Sequence, residues 1–200
     1  DPESYFACRR FDGDGQRKNL WYWTMGPEYV ELAFTYARKY ADPDVKLFYN
    51  DFSTVDLKKR ECIFELCQNL AAKGIIDGIG MQGYWDVKNP SLKAIKDTIE
   101  RFAETGLEIQ LTEWSISAPT EDEAGFATQA ERYASIFRLL QKLDTQGGGK
   151  ANITCVSFFG VQDHYVLSKT DKTTSRLFDR NFAPKPVYYA IADTFKLYCN

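Results

Sequence analysis

One carboxylate stands out as a group that could do chemistry. In Leu107-Glu108-Ile109-Gln110-Leu111-Thr112-Glu113, apolar residues recur at every second position, which is the period of a strand. The spacing predicts a strand over 107–112, with Glu113 at its C-terminal end. Parallel α/β sheets place their reactive groups at that end. Trp114 follows at once and gives the carboxylate an apolar neighbour. Asn50, Gln82 and Phe159 fall at the ends of three other predicted strands. Amides hydrogen-bond hydroxyl groups, and aromatic rings stack on sugar faces. Such groups brought together would suit a neutral polyhydroxyl ligand. The plainer readings are a solvated strand-end Glu and a large aromatic core, since Phe, Trp and Tyr make up 15% of the chain.

These groups need elements to hold them. Tyr29, Leu32, Ala33, Tyr36, Ala37 and Tyr40 recur at helical spacing, and 46–50 reads as a strand. Ile63, Leu66, Cys67 and Leu70 mark a second helix, which Gly74 closes, and 75–82 is a second strand. A helix carries Leu92, Ile95, Ile99 and Phe102, and Gly106 ends it before the strand at 107–112. Ala130, Tyr133, Ala134 and Phe137 mark another helix, 153–159 a fourth strand, and 186–197 a last helix. The result is an α/β chain of parallel (β/α) repeats, with about four strands and five helices, in one domain over 1–200 whose first 18 residues are irregular. Alternating strands and helices imply crossovers and a mainly parallel sheet. Two architectures fit, a doubly wound open sheet and part of a (β/α)8 barrel, since a full barrel needs eight strands.

Several other chemistries fall away. Twenty-five Lys and Arg against 28 Asp and Glu give a net charge of −3. That balance speaks against a nucleic-acid partner, which selects a basic surface. No apolar run approaches the roughly 20 residues of a membrane span, and the opening Asp-Pro-Glu-Ser is unlike a secretory leader. There are five cysteines, no C-x-x-C and one histidine, His164, a poor set for zinc. Asp12-Gly13-Asp14-Gly15 starts like a calcium loop, but Gln16 and Arg17 occupy later ligand and glycine positions. Gly78-Ile79-Gly80-Met81-Gln82-Gly83 spells the dinucleotide fingerprint G-x-G-x-x-G, yet the next helix begins only near Ser91. The fingerprint requires a helix N-terminus at the glycines. Here they are expected to admit a close neighbour instead. No metal or cofactor is expected.

The strand-end motifs carry a resemblance. Tyr49-Asn50-Asp51-Phe52, Gly78-Ile79-Gly80-Met81-Gln82, the segment ending Thr112-Glu113, Ile153 to Gly160, and Pro184 to Ile191 occur in order over roughly residues 19–195. Together they resemble the C-terminal half of glycoside hydrolase family 10, the retaining endo-β-1,4-xylanases. The resemblance implies half of a TIM (β/α)8 barrel, xylan or xylo-oligosaccharide as substrate, and an extracellular or periplasmic location. It makes Glu113 the catalytic nucleophile and Asn50, Phe52, Gln82, Tyr84, Trp85 and Phe159 the residues expected to line the sugar site. In a retaining mechanism the acid/base carboxylic acid lies about 5–5.5 Å from the nucleophile. In the family that acid ends a W-D-V-V-N-E strand, upstream of every matched motif. The nearest candidate in this chain is Glu3.

Other departures cluster around Glu113. The family's strand-six motif continues Ser-His, where this chain has Gly83-Tyr84. Its nucleophile motif continues Leu-Asp, where this chain has Trp114-Ser115. Phe159 replaces a Trp, and Val166-Leu167 stands where another Trp belongs. A half barrel also exposes strand edges and leaves its inner face unopposed. A homodimer or a missing N-terminal half is therefore expected to close it. The alternatives to a hydrolase are a non-catalytic xylan-binding or scaffold fragment and an unrelated small open-sheet enzyme.

Overall fold

The computed structural model describes residues 20–26, 28–163 and 174–196. The irregular stretch 1–18, the calcium-like turn, Glu3, His164 and Val166-Leu167 lie outside the described residues. In chain order the elements are α1 (Leu20–Met25), α2 (Tyr29–Tyr40), β1 (Phe48–Asp51), α3 (Leu57–Ala72), β2 (Gly78–Trp85), α4 (Leu92–Ala103), β3 (Glu108–Ile116), α5 (Glu123–Leu143), β4 (Asn152–Phe158) and α6 (Pro186–Lys196). All four expected strands and five expected helices are present, and α1 is an additional short helix.

Local chemistry explains several boundaries. Side chains of Asp56, Ser91 and Asp122 accept backbone N–H groups in the first turns of α3, α4 and α5. Such caps satisfy donors that have no partner within the helix. Gly74 and Gly106 follow α3 and α4 at φ values of 69° and 74°, a conformation that side chains with a Cβ resist.

The strands are parallel and lie in the order β1-β2-β3-β4. A doubly wound sheet reverses direction at a switch point, whereas a barrel keeps winding the same way. The sequential order therefore selects an arc of a barrel.

One face of this arc is the core. Ile79 and Met81 of β2 and Ile109 and Leu111 of β3 are fully buried. They join Ile63, Cys67 and Leu70 of α3, Ile95, Ile99 and Phe102 of α4, and Tyr133 and Ile136 of α5 in one cluster. The opposite face is polar. Thr154 donates to Glu108 at 3.1 Å, Gln110 donates to Thr154 at 3.2 Å, and Thr112 donates to Asn50 at 2.5 Å. Lys46 pairs with the other oxygen of Glu108.

Strict alternation breaks once in β3. Met81 pairs with Leu111 but Gln82 pairs with Glu113, so Thr112 is an extra residue against β2. A β-bulge of this kind shifts every later side chain to the opposite face. Ile109 and Leu111 point into the core, and without the bulge Glu113 would follow them. With it, Trp114 enters the core instead, its ring 4.6 Å from Tyr133 and 5.6 Å from Phe158. β3 also runs on to Ile116, so Glu113 lies inside the strand rather than at the predicted end.

Cys67 reports on this packing. Burial, with smaller contributions from Cys62 and Asp51, pushes its thiol up to about 12, and Cys155 is exposed. A thiol reagent near pH 8 is expected to label Cys155 in the native protein and Cys67 only after denaturation, as read by peptide mapping. Prompt native labelling of Cys67 would mean that α3 is not docked on the sheet.

Candidate active site

The bulge brings Glu113 onto the polar face opposite Gln82. Two residues beyond Gln82 on the same face of β2, Tyr84 donates its hydroxyl to Glu113 Oε2 at 2.5 Å. Burial first, and then the Glu113 hydrogen bond and charge, raise the Tyr84 pKa above its ordinary value. The phenol therefore stays a donor across the neutral and mildly alkaline range. One carboxylate oxygen is held by it, and among the described residues Oε1 has no hydrogen-bond donor.

Glycines shape the floor beside this pair. A Cβ on Gly80 would lie 2.6 Å from Asn50 Oδ1 and 2.9 Å from Thr112 Cγ2, so its absence lets Asn50 and Thr112 meet across β2. A Cβ on Gly78 would fall 2.0 Å from the Phe48 ring. The G-x-G-x-x-G glycines thus sit within a strand and admit close neighbours, as expected, and no helix opens until Leu92.

A buried ion pair holds the end of β1. Asp51 binds Lys59 at 2.8 Å and accepts the Tyr49 hydroxyl at 2.8 Å. Burial raises the Asp51 pKa, and Lys59 opposes that shift. The same Lys59 ammonium lies 3.8 Å from the centre of the Phe52 ring and so occupies one face of that ring.

Phe159 follows β4, and its amide donates to Trp114 O at 3.0 Å. Its ring meets Tyr84 edge-on at 5.3 Å. Beneath it lies Arg176, 3% exposed, with its guanidinium carbon 5.2 Å from the Phe159 centroid. Arg176 donates to the hydroxyls of Ser115 at 3.0 Å and Ser175 at 2.9 Å.

The structure therefore gathers Asn50, Gln82, Tyr84, Glu113 and Phe159 around one face of the sheet, with Phe52 at the end of β1. Trp85 is a correction. It directly follows Tyr84, so the two-residue period turns it to the opposite face. There it is buried, with its ring 6.3 Å from Trp114, and it does not line the site. Arg176 and Thr112 are additions that sequence reasoning missed. Nothing in Ser175-Arg176-Leu177 distinguishes a buried arginine from a surface one, and Thr112 matters only because of the bulge.

The profile described as glycosyl hydrolase family 10 matches residues 9–194. The chain belongs to glycosyl hydrolase family 10. A β-1,4-xylanase from Dictyoglomus thermophilum is 38% identical over 193 residues, covering 88% of this chain and 52% of that protein. The structure of xylanase 10B from Thermotoga petrophila in complex with xylobiose superposes with a TM-score of 0.79 at 32% identity, covering 95% of this chain and 58% of that one. The intracellular xylanase TsXylA of Thermoanaerobacterium saccharolyticum gives a TM-score of 0.76 at 33% identity, covering 90% and 54%. The chain thus spans about half the length of these relatives, and its four-stranded arc is the C-terminal half of a family 10 TIM barrel. Against the family pattern, Tyr84 supplies a neutral donor to the carboxylate where His was expected, and Ser115 is bound to Arg176.

Two outcomes are expected. Gly80→Ala is expected to cost about 1–3 kcal/mol, typical of overpacking, in urea unfolding, because its Cβ would displace Asn50 or Thr112. An unchanged midpoint would mean those side chains do not cross β2. Phenolate absorbance near pH 10, the ordinary tyrosine midpoint, is expected to match between the parent and Tyr84→Phe. A smaller signal in the variant would mean that Tyr84 ionises freely and does not hold Glu113.

Proposed function

We propose that this chain is the nucleophile-bearing half of a retaining endo-β-1,4-xylanase domain. The Tyr84–Glu113 hydrogen bond on the polar face, beside Gln82, is the observation that carries this reading. It directs the carboxylate and leaves Oε1 to attack the anomeric carbon of a xylosyl unit. In the first step a C1–O bond forms to Glu113, and the bond to the leaving oxygen breaks with its electron pair. A carboxylic acid protonates that oxygen and later takes the proton of the water that releases the sugar. Gln82 and Asn50 hydrogen-bond sugar hydroxyls, and Phe52 and Phe159 offer ring surface.

The acid/base comes from the other half of the barrel. Glu108 is the other carboxylate of β3, but it lies five residues before Glu113, roughly 16 Å at the rise of a strand. That is far beyond the roughly 5–5.5 Å of a retaining pair. Its oxygens are also engaged by Lys46 and Thr154. The complementary half barrel, from the same longer protein or from a second copy, also covers the open edges of β1 and β4. Xylan as a polymeric substrate favours export, although one relative is described as intracellular. A non-catalytic xylan-binding role is the second reading, favoured by the neutral Tyr84 and Ser115 beside the carboxylate.

An activated 2,4-dinitrophenyl 2-deoxy-2-fluoro-xylobioside needs no general acid, because its leaving group departs unprotonated. Mass spectrometry is expected to show one fluoroxylobiosyl group on Glu113, and none on folded Glu113→Ala. Labelling elsewhere would remove the nucleophile assignment. A folded, unlabelled chain that still binds xylohexaose would decide for the binding module.

A further inference from the structure

Arg176 is an unusual group to find in this place. A buried guanidinium is costly unless its donors are well paired, and among the described residues Nε has no hydrogen-bond partner. Its two partners in hydrogen bonding through Nη1 are the neutral hydroxyls of Ser115 and Ser175. Buried donors left unmade call for an explanation. The surroundings are built to admit this one. Gly160 has a φ of 77°, and a Cβ there would stand 2.6 Å from Arg176 Nε.

The segment that delivers Arg176 is firmly anchored. Asp163 accepts the Arg176 backbone N–H at 2.9 Å and pairs with Lys185 at 2.8 Å, both side chains of that pair being buried. Gln129 of α5 donates to the carbonyls of Ile116 and Thr174 at 2.7 Å. Tyr133 donates to the Ser175 carbonyl at 3.3 Å. The arginine is thus presented from a fixed backbone.

Its contacts close a ring that begins and ends at Glu113. Along β3, Ser115 is two residues beyond Glu113 and holds Nη1 of Arg176. The guanidinium lies against Phe159, and Phe159 lies against Tyr84. Tyr84 returns to Glu113 Oε2. We propose that Arg176 is a positioning residue for the Glu113 carboxylate: it ties the end of β3 to the Phe159 ring, and that ring holds the Tyr84 hydroxyl on Glu113. The charge of Arg176 reaches the same groups. Burial raises the pKa of both Tyr84 and Tyr133, and Arg176 works against that rise. This assignment rests on Glu113 as the reacting carboxylate, and it goes beyond that reading in naming what holds it.

The test is a spectroscopic signature that needs no turnover. Tyrosines labelled with 13C at Cζ report phenol hydrogen bonding, and Tyr84→Phe identifies the Tyr84 signal in the intact chain. Glu113→Gln sets the shift for loss of the charged acceptor. Arg176→Met and Ser115→Ala are each expected to move the Tyr84 signal most of the way to that position. Arg176→Lys, which keeps a charge but loses the planar fork, is expected to move it less. A Tyr84 signal unmoved in Arg176→Lys and Ser115→Ala would overturn the proposal, even if melting temperatures fell, because that pattern marks a merely structural arginine. Should Arg176→Met fail to fold, Ser115→Ala decides alone. Labelling by the fluoroxylobioside separates the two readings. An unlabelled parent with its Tyr84 signature intact overturns the hydrolase and leaves the clamp, whereas a labelled parent with an unmoved Tyr84 signal in the variants does the reverse.

Discussion

The extra residue at Thr112 is the constraint on which the site depends. A parallel strand under helices has one face committed to the core, and its side chains alternate without exception while the ladder is regular. Ile109 and Leu111 spend that alternation on packing. Glu113 shares their parity, so a regular β3 would bury its carboxylate against α4 and α5. One residue of bulge exchanges the fates of neighbours: Glu113 reaches the polar face, and the largest side chain of the strand, Trp114, goes to the core. The same step sets Gln82 opposite Glu113 and brings Tyr84 within hydrogen-bonding distance. The packing of Trp114 and the placement of the Glu113 carboxylate are thus both set by a single irregularity.

The elements themselves were largely legible in the amino-acid sequence. Apolar residues at helical spacing in 29–40 and 92–102, turn glycines at 74 and 106, and the alternation at 107–111 all correspond to observed structure. These signals are local, and each arises from a side chain meeting its own backbone or the nearest layer. What escaped was non-local. A bulge is a relation between two strands, and nothing in Leu111-Thr112-Glu113-Trp114 announces it. Trp85 was expected to line the sugar site with Tyr84, but the pleat assigns the two neighbours to opposite faces. Arg176 was missed because its burial is produced by Phe159, Ser115 and Gly160, all distant or unremarkable in sequence. The local pattern singled out Glu113 as a strand-end carboxylate, but the face it takes is decided by the bulge, which that pattern does not show.

The groups around the carboxylate are mostly uncharged. Tyr84 binds it through a hydroxyl, Gln82 pairs opposite it on β2, and Ser115, two residues along β3, accepts from Arg176. A phenol with a raised pKa gives directional control without changing charge across the working range. An imidazole in its place would titrate near neutral pH. The buried positive charge of Arg176 lies under the Phe159 ring, which itself touches Tyr84, and not on the carboxylate.

The polar ladder formed by Lys46, Glu108, Thr154 and Gln110 bears on how such a molecule is assembled. A half barrel with an oily inner surface would have to be covered as soon as it formed, or be lost to aggregation. Here polar side chains on that surface already bond one another, with glycines at 78 and 80 leaving room for neighbours to lie across it. A concave sheet that water can wet is able to wait. The making of this half and its closure into a barrel can then be separate events, with the Tyr84–Glu113 pair set before any second half arrives.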